Sequence, residues 1–172
     1  RFSSFGAIMD SYKFEFTQFL IQEQALQFGQ FTLKSGRVSP YFFNSARFST
    51  GRAIRELGEF YARAIADHLP GCSSVFGPAY KGIPLCIATA QALEIFSNQT
   101  TGYFFNRKEE KGHGDTGRLV GNIPTPEDRV VMVDDVITDG FTKLEAVSMV
   151  RETCGVEFTG IVVAMDRMER NQ

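Results

Sequence analysis

The sequence predicts an α/β protein built on a doubly wound parallel sheet, and two observations lead to that class. Between about Ser74 and Arg167 the pattern runs strand, helix, strand, helix, strand, which is the order that produces a parallel sheet. The segments VVMV and GIVVAM are apolar without alternation, as expected of strands that helices cover on both faces. A length of 172 residues suggests one domain with a substantial core.

The first elements that the sequence predicts are a helix and a hairpin. Apolar residues recur at helical spacing in SYKFEFTQFLIQEQALQFG, which predicts an amphipathic helix ending at Gly29. The next segment, QFTLKSGRVSPYFFNSARF, alternates around a Ser-Gly turn and predicts a hairpin. We therefore expect a tag remnant at 1–8, an N-terminal helix and hood hairpin at 9–48, and a core at 49–172 that is C-terminally incomplete.

The core segments alternate between strand and helix. A helix is expected from Thr50, then the strand SSVF broken at Gly77, and then a helix with Pro84 in its first turn. The strand TTGYFFNRK follows, and EEKGHGDTGRLVGNIPTPED predicts a mobile, glycine-rich loop with a short hairpin. The strand RVVMVDDV, the helix FTKLEAVSMVRETC and the strand EFTGIVVAMDR complete the order.

Composition excludes several classes of protein. With 43% hydrophobic and 22% charged residues and a formal net charge of -2, the chain has neither a basic nucleic-acid surface nor a disordered acidic tail. We see no apolar run of membrane-spanning length and no secretory signal. The three cysteines are far apart and lack metal-type spacing. We therefore expect reduced thiols, a cytoplasmic location, and no nucleic-acid or membrane partner.

Polar clusters follow four of the predicted strands. These clusters are FGPAYKG, FFNRK, VDDVITDG and MDR. Ligands of open α/β sheets bind at the carboxyl ends of the strands. The sequence therefore predicts one binding site at that rim.

The acid pair Asp134 and Asp135 allows more than one interpretation. The two carboxylates could bind a metal, accept hydrogen bonds from sugar hydroxyls, or do acid-base chemistry, and a helix-capping role would explain them as well. The following TDGFT could present backbone N–H groups to a phosphate, with Thr138 and Thr142 adding hydroxyl donors. The sequence has no P-loop motif and no G-x-G-x-x-G after a strand, so a nucleotidase or a dinucleotide-binding domain is poorly supported.

These motifs together resemble a known family. The apolar strand with DDVITDG resembles the phosphoribosyl pyrophosphate (PRPP) signature of type I phosphoribosyltransferases. The segments FGQFTLKSGRVSPYFFN, FGPAYKGIPL, FFNRKEEKGHGDTGRLVG and MDRMER are similar to the orotate phosphoribosyltransferase family. The resemblance extends from about Phe14 to Arg170. It implies the type I fold with a small N-terminal hood, and a pentosyltransferase of de novo pyrimidine (UMP) synthesis that converts orotate and PRPP to orotidine 5′-phosphate and pyrophosphate.

The resemblance also implies roles for individual residues. Catalytic roles fall on Lys111, His113 and Asp135. Orotate would contact Lys34, Phe42, Phe43, Thr138 and Arg167. PRPP would contact Lys34, Tyr80, Lys81, Arg107, Lys108, Lys111, His113, Asp134, Asp135, Val136, Ile137, Thr138, Asp139, Gly140, Phe141 and Thr142. Mg2+ would be the cofactor, held mainly by PRPP and water with no direct protein ligand, and a homodimer is implied in which the mobile loop completes the neighbouring site.

The chemistry of the residues agrees with these roles. A site for two anions needs several cations, an Arg fork suits a planar carboxylate, and Phe rings suit a planar base. Simpler explanations exist for each residue alone: Lys34 as a solvated lysine, His113 as an exposed loop residue, Arg167 as a surface charge. Phe42 and Phe43 point to opposite faces if they lie on a strand, so at least one belongs to a core.

The phosphate loop departs from the family pattern. Asp139 stands where the family has small residues, and Phe141 stands where it has a hydroxyl residue; Thr142 could supply the missing hydroxyl. Two other functions remain open from the sequence. One is a non-catalytic regulator that senses PRPP, and the other is a phosphoribosyltransferase for another base.

Overall fold

The computed structural model describes residues 11–33, 36–108, 117–138 and 140–167. The chain divides into two compact units, 1–49 and 50–172. The first unit contains α1 (Ser11–Gln22), β1 (Leu26–Thr32), β2 (Val38–Phe43) and one 3-10 turn (Ser45–Arg47). None of the helices in the described part of the chain has the length and apolarity needed to cross a bilayer.

The predicted end of the first helix at Gly29 is wrong. The helix ends at Gln22, and Gln24 adopts a left-handed conformation with φ 57° that turns the chain into β1. The predicted hairpin is present and begins earlier than expected, because Leu26 already pairs with Phe43 in the antiparallel ladder. Cross-strand pairing thus takes the residues that helical periodicity assigned to the helix.

The second unit carries the predicted alternation of strands and helices. Its elements are α2 (Gly51–His68), β3 (Ser74–Phe76), α3 (Gly82–Ser97), β4 (Gly102–Asn106), β5 (Leu119–Gly121), β6 (Arg129–Ile137), α4 (Phe141–Cys154) and β7 (Glu157–Asp166). The strand order is β5-β4-β3-β6-β7. β3 is parallel to both β4 and β6, and β6 is parallel to β7, whereas β5 runs antiparallel at the edge. The predicted fold class is therefore confirmed.

Helices cover both faces of this sheet. The crossover through α3 leads from β3 to one side, and the crossover through α4 leads from β6 to the other, so right-handed connections place the two helices on opposite faces. On one face Val147 and Val150 of α4 pack in a cluster with Phe76 and Met132. Val131, which neighbours Met132 in β6 and points the opposite way, is equally buried.

The strand order reverses beside β3, between its neighbours β4 and β6. In doubly wound sheets such a reversal opens a crevice at the carboxyl ends of the strands. The connections after β3, β4 and β6 all begin at that edge.

Candidate functional site

A cavity of about 590 Å³ lies at the carboxyl edge of the sheet. It is formed by the connections that follow β3, β4 and β6, so three of the four polar clusters converge there as the sequence suggested. Tyr80 and Lys81 come from the first connection, Lys108 from the second, and Asp134 and Asp135 from β6.

The fourth cluster lies next to the third. The backbone N–H of Arg167 donates to the carbonyl oxygen of Ile137 at 3.0 Å, and Asp166 pairs with Ile137 at the ends of β7 and β6. Arg167 is half-buried there. The end of β7 therefore continues the rim.

The acid pair belongs to the strand and does not cap the helix. Strand β6 continues through Asp134 and Asp135 to Ile137. Each acid folds one oxygen back onto the chain: Asp135 N–H donates to Asp134 Oδ1 and Val136 N–H donates to Asp135 Oδ1, both at 2.8 Å. The N-cap of α4 is Gly140, which supplies no side-chain bond. Capping is therefore excluded for the two acids.

A lysine holds the second oxygen of each acid. Lys81 Nζ lies 2.8 Å from Asp135 Oδ2, and Lys143 Nζ lies 2.6 Å from Asp134 Oδ2. The two lysines differ in solvent exposure, because the side chain of Lys81 is 70% exposed and that of Lys143 is 9% exposed. Sequence reasoning assigned no role to Lys143, although its spacing from Val147 and Val150 places it on the buried stripe of α4.

The connection from β3 to α3 is tight. A Cβ at Gly77 would lie 2.0 Å from the carbonyl oxygen of Gly82, so the two glycines allow a close backbone approach that no other residue permits. The peptide bond between Ala79 and Tyr80 is cis. Asn106 at the end of β4 accepts the Ala79 N–H at 2.9 Å. These contacts fix the segment that presents Tyr80 and Lys81.

Lys108 lies over the ring of Tyr80, with Nζ 5.1 Å from the ring centroid. That distance is within the range of a cation–π contact. Tyr80 is itself 65% exposed, so the pair forms a solvent-facing wall of the cavity. Arg107 is half-buried, and its backbone N–H donates to Arg118 beyond the glycine-rich segment at 2.8 Å.

Tyr61 holds the backbone of the acid pair through a hydrogen bond. Its hydroxyl donates to the backbone carbonyl of Asp134 at 2.8 Å, and the side chain is fully buried. Burial, and then the charges of Asp135 and Asp134, hold the pKa of Tyr61 well above its ordinary value. The phenol therefore stays protonated and keeps its donor role.

The predicted phosphate loop leads from β6 into α4. Val136 and Ile137 are half-buried in the strand, whereas Thr138 and Thr142 are exposed. Gly140 has a φ of 79° and starts the helix, which suits glycine. Phe141 is 62% exposed, so this ring is not part of the core. The first turn of α4 thus presents Thr142 toward the cavity that it lines.

Other predicted site residues lie in the first unit or outside the described residues. Phe42 is 37% exposed, with its ring centroid 5.5 Å from that of Phe31. Phe43 is buried beside Phe48, so the two neighbouring rings face opposite sides of the hairpin. Lys34, Lys111, His113 and Asp139 lie outside the described residues, and their roles stay predictions.

The chain is similar to known proteins in both sequence and structure. The chain is 46% identical over 164 residues to the orotate phosphoribosyltransferase of Pseudoalteromonas translucida, covering 95% of this chain and 75% of the relative. It is 48% identical over 164 residues to that of Vibrio vulnificus, covering 95% and 76%. The crystal structure of orotate phosphoribosyltransferase from Francisella tularensis superposes with a TM-score of 0.79 at 37% identity, covering 92% and 74%. No family model matches the chain.

Proposed function

This chain belongs to the orotate phosphoribosyltransferase family, and we propose that it transfers the 5-phosphoribosyl group of PRPP to orotate, giving orotidine 5′-phosphate and pyrophosphate. The family and the pentosyltransferase class predicted from the sequence are confirmed. The observation that carries the proposed reaction is the cavity in which paired acids meet several cations at the switch point of the sheet.

Charge in the cavity supports a polyanionic substrate. Among the described residues, Lys81, Lys108 and Lys143 line it together with two acids, Asp134 and Asp135. The site is thus locally cationic although the chain carries a formal net charge of -2. Cations in a partly desolvated cleft interact with a polyphosphate far more strongly than cations in bulk water do.

The acid pair suits the ribose of PRPP. Two adjacent carboxylates fixed on a strand can accept hydrogen bonds from vicinal hydroxyls, and the exposed hydroxyls of Thr138 and Thr142 at the start of α4 suit the 5′-phosphate. Cleavage at C1 passes through an oxocarbenium-like state. Carboxylates near the ribose stabilise that cation, while Lys81 and Lys108 stabilise the departing pyrophosphate. We assign Lys34, Arg107, Lys111 and His113 to the same pyrophosphate, with Lys111 and His113 covering the reacting bond.

The donor groups of the cavity suit a Mg2+ ion that the substrate, and not the protein, would hold. All four carboxylate oxygens of the acid pair already accept a hydrogen bond or an ion pair. Groups of three or more potential metal-ligating side chains do not occur among the described residues. Mg2+ retains several waters, so we propose that PRPP oxygens and water hold it, and that it supplies charge neutralisation to the pyrophosphate.

The assignments for the base follow from the family resemblance. We propose that Phe42 offers an apolar face to orotate, that Phe43 supports it from the hairpin core, and that Arg167 pairs with the carboxylate. Thr138 and Lys34 complete the set. These assignments distinguish orotate from neutral bases, because only orotate brings a carboxylate to the arginine.

Assembly and location belong to the same proposal. We propose a homodimer in which the glycine-rich segment after Lys108 completes the neighbouring site, and a cytoplasmic location. The three cysteines support the location, since all are free thiols. Burial raises the pKa of Cys72 to about 11 and that of Cys86 to about 12, so both stay protonated and unreactive at neutral pH.

The test is the loss of orotate absorbance with PRPP and Mg2+, run beside adenine, uracil and hypoxanthine. We expect turnover with orotate alone and its collapse in Lys111→Ala. Arg52→Ala is the matched control, because Arg52 is an exposed cation paired with Glu56 on α2. Turnover with another base would refute the substrate assignment.

The same preparation tests the rival function. PRPP binding without turnover on any base, combined with retardation of random DNA at low salt, would favour a PRPP-sensing regulator over an enzyme. We expect no retardation, because the chain is slightly acidic.

A further inference from the structure

The two acids of the cavity differ in how firmly they are held. Asp134 is held at three atoms: Oδ1 by the Asp135 N–H, Oδ2 by Lys143, and its backbone oxygen by Tyr61. The lysine and the tyrosine are both buried. Asp135 is held at Oδ1 by the Val136 N–H and at Oδ2 by Lys81, whose side chain is 70% exposed. A buried pair is screened little by water or salt, whereas an exposed lysine changes partners readily.

Placing a lysine on the apolar stripe of α4 costs folding free energy, which a contact at that position must offset. Val147 and Val150 follow it on the same stripe and are buried in the sheet-facing core. A buried ammonium loses its hydration. The free energy that this costs is offset only when a carboxylate pairs with the ammonium at close range. Asp134 Oδ2 at 2.6 Å is that partner. Lys143 and Asp134 are therefore a matched pair that links the first turn of α4 to β6.

We propose that Lys143 is a positioning residue for the transfer reaction, acting as the fixed counter-ion that orients the Asp134 carboxylate toward the ribose of PRPP. The inference rests on the proposed function, which places the ribose at the acid pair. Lys143 also offsets the repulsion between the two neighbouring carboxylates, so that Asp134 remains fixed while Lys81 is the partner that exchanges when the polyanion arrives.

The first experiment compares Lys143→Met and Lys143→Arg with the unaltered chain. Methionine keeps the length and apolar stem but removes the charge, so we expect the KM for PRPP to rise at least about tenfold, as misplaced substrate-binding groups typically cause. Arginine should restore part of that loss. The matched control is Arg151→Met on the same helix, because Arg151 forms an exposed pair with Glu157 and should leave the KM unchanged.

A double-mutant cycle with Asp134→Asn separates positioning from direct contact. If Lys143 acts through Asp134, adding Lys143→Met to Asp134→Asn should raise the KM for PRPP by less than about twofold more. The thermal midpoint of the double variant should also exceed that of Lys143→Met alone, because the uncompensated carboxylate is gone. A full additional increase in KM in the Asn background would overturn the inference, as would an unchanged KM in Lys143→Met.

Calorimetric titration of PRPP in the presence of Mg2+ distinguishes the failure of this inference from failure of the proposed function. If the unaltered chain binds PRPP without converting orotate, the proposed reaction fails, yet the same cycle can be run on the dissociation constant. Weaker PRPP binding in Lys143→Met and recovery in Lys143→Arg would then still support the positioning role, and equal binding in all three chains would refute it.

Discussion

Replacement of Tyr61 by Phe tests how the acid pair is anchored. The change removes only the hydroxyl that donates to the Asp134 carbonyl at 2.8 Å and leaves the buried ring in place. A buried hydrogen bond contributes about 1 kcal/mol net to stability. We therefore expect Tyr61→Phe to lower the free energy of unfolding by roughly that amount near neutral pH.

At alkaline pH, Tyr61→Phe should become more stable than the unaltered chain. The pKa of Tyr61 is raised well above 10.0 by burial and by the two acids. The stability that this tyrosine contributes is therefore fully present below its unfolded pKa, and that stability is lost as pH rises toward its folded pKa. Above about pH 10 the unfolded state releases the proton and the folded state keeps it, which costs about 1.4 kcal/mol per pH unit. The stability deficit of about 1 kcal/mol in Tyr61→Phe is thus cancelled at about pH 11, where the stability curves of the two proteins should cross.

Urea unfolding followed by far-UV circular dichroism measures this crossing. The thiols of Cys72 and Cys86, whose pKa values are raised to about 11 and about 12, are present in both proteins, so their contributions cancel in the comparison. Tyr103→Phe is the control, because the Tyr103 side chain is 40% exposed and its replacement should leave the free energy of unfolding near neutral pH unchanged. Parallel curves for Tyr61→Phe and the unaltered chain above about pH 10 would show that Tyr61 ionises normally and would refute the buried anchor.

Three further substitutions test other parts of the site. Gly77→Ala should destabilise the chain by about 1–3 kcal/mol and raise the KM for PRPP, since its Cβ would meet a carbonyl oxygen at 2.0 Å; Gly51→Ala, which meets nothing within 4 Å, should be neutral or slightly stabilising in urea unfolding. Lys81→Met should weaken PRPP binding in calorimetry and lower the free energy of unfolding by about 1 kcal/mol, because Lys81 is 70% exposed whereas the Asp135 carboxylate that it pairs with is only 13% exposed. Arg167→Met should raise the KM for orotate and leave that for PRPP unchanged; equal effects on both substrates would contradict the assignment of Arg167 to the orotate carboxylate.

The sequence predicted the core of the fold well because its signals there are local. Unalternating apolar strands, the helix start at Thr50, whose side chain accepts the Ala53 N–H, and Pro84 in the first turn of α3 are all signals that neighbouring residues carry. The first helix was extended too far because Leu26 and the residues after it fit a helical stripe equally well. Pairing with Phe43 decided the outcome, and that contact joins segments well separated in sequence.

The site was predictable only as far as its motifs extend. Strand-end clusters indicated where Lys81, Asp134 and Asp135 would meet. Tyr61 carries no local signal, since it precedes Asp134 by 73 positions and reaches it only through the packing of α2. Lys143 had a signal, a cation at the start of an apolar stripe, but its partner became identifiable only with the crossing of α4 over β6.

The two neighbouring acids look equivalent in the sequence and are not equivalent in the protein. Asp134 has a buried counter-ion and a buried anchor, so its carboxylate is positioned before any ligand arrives. Asp135 has an exposed counter-ion but is itself only 13% exposed, so Lys81 can move away only when a bound ligand gives this carboxylate another partner. A group that orients the substrate must be held in place, and a group that stabilises developing charge also acts best when it is fixed beforehand. We therefore propose Asp134 as the carboxylate that fixes the ribose and Asp135 as the carboxylate that changes its partner when PRPP binds.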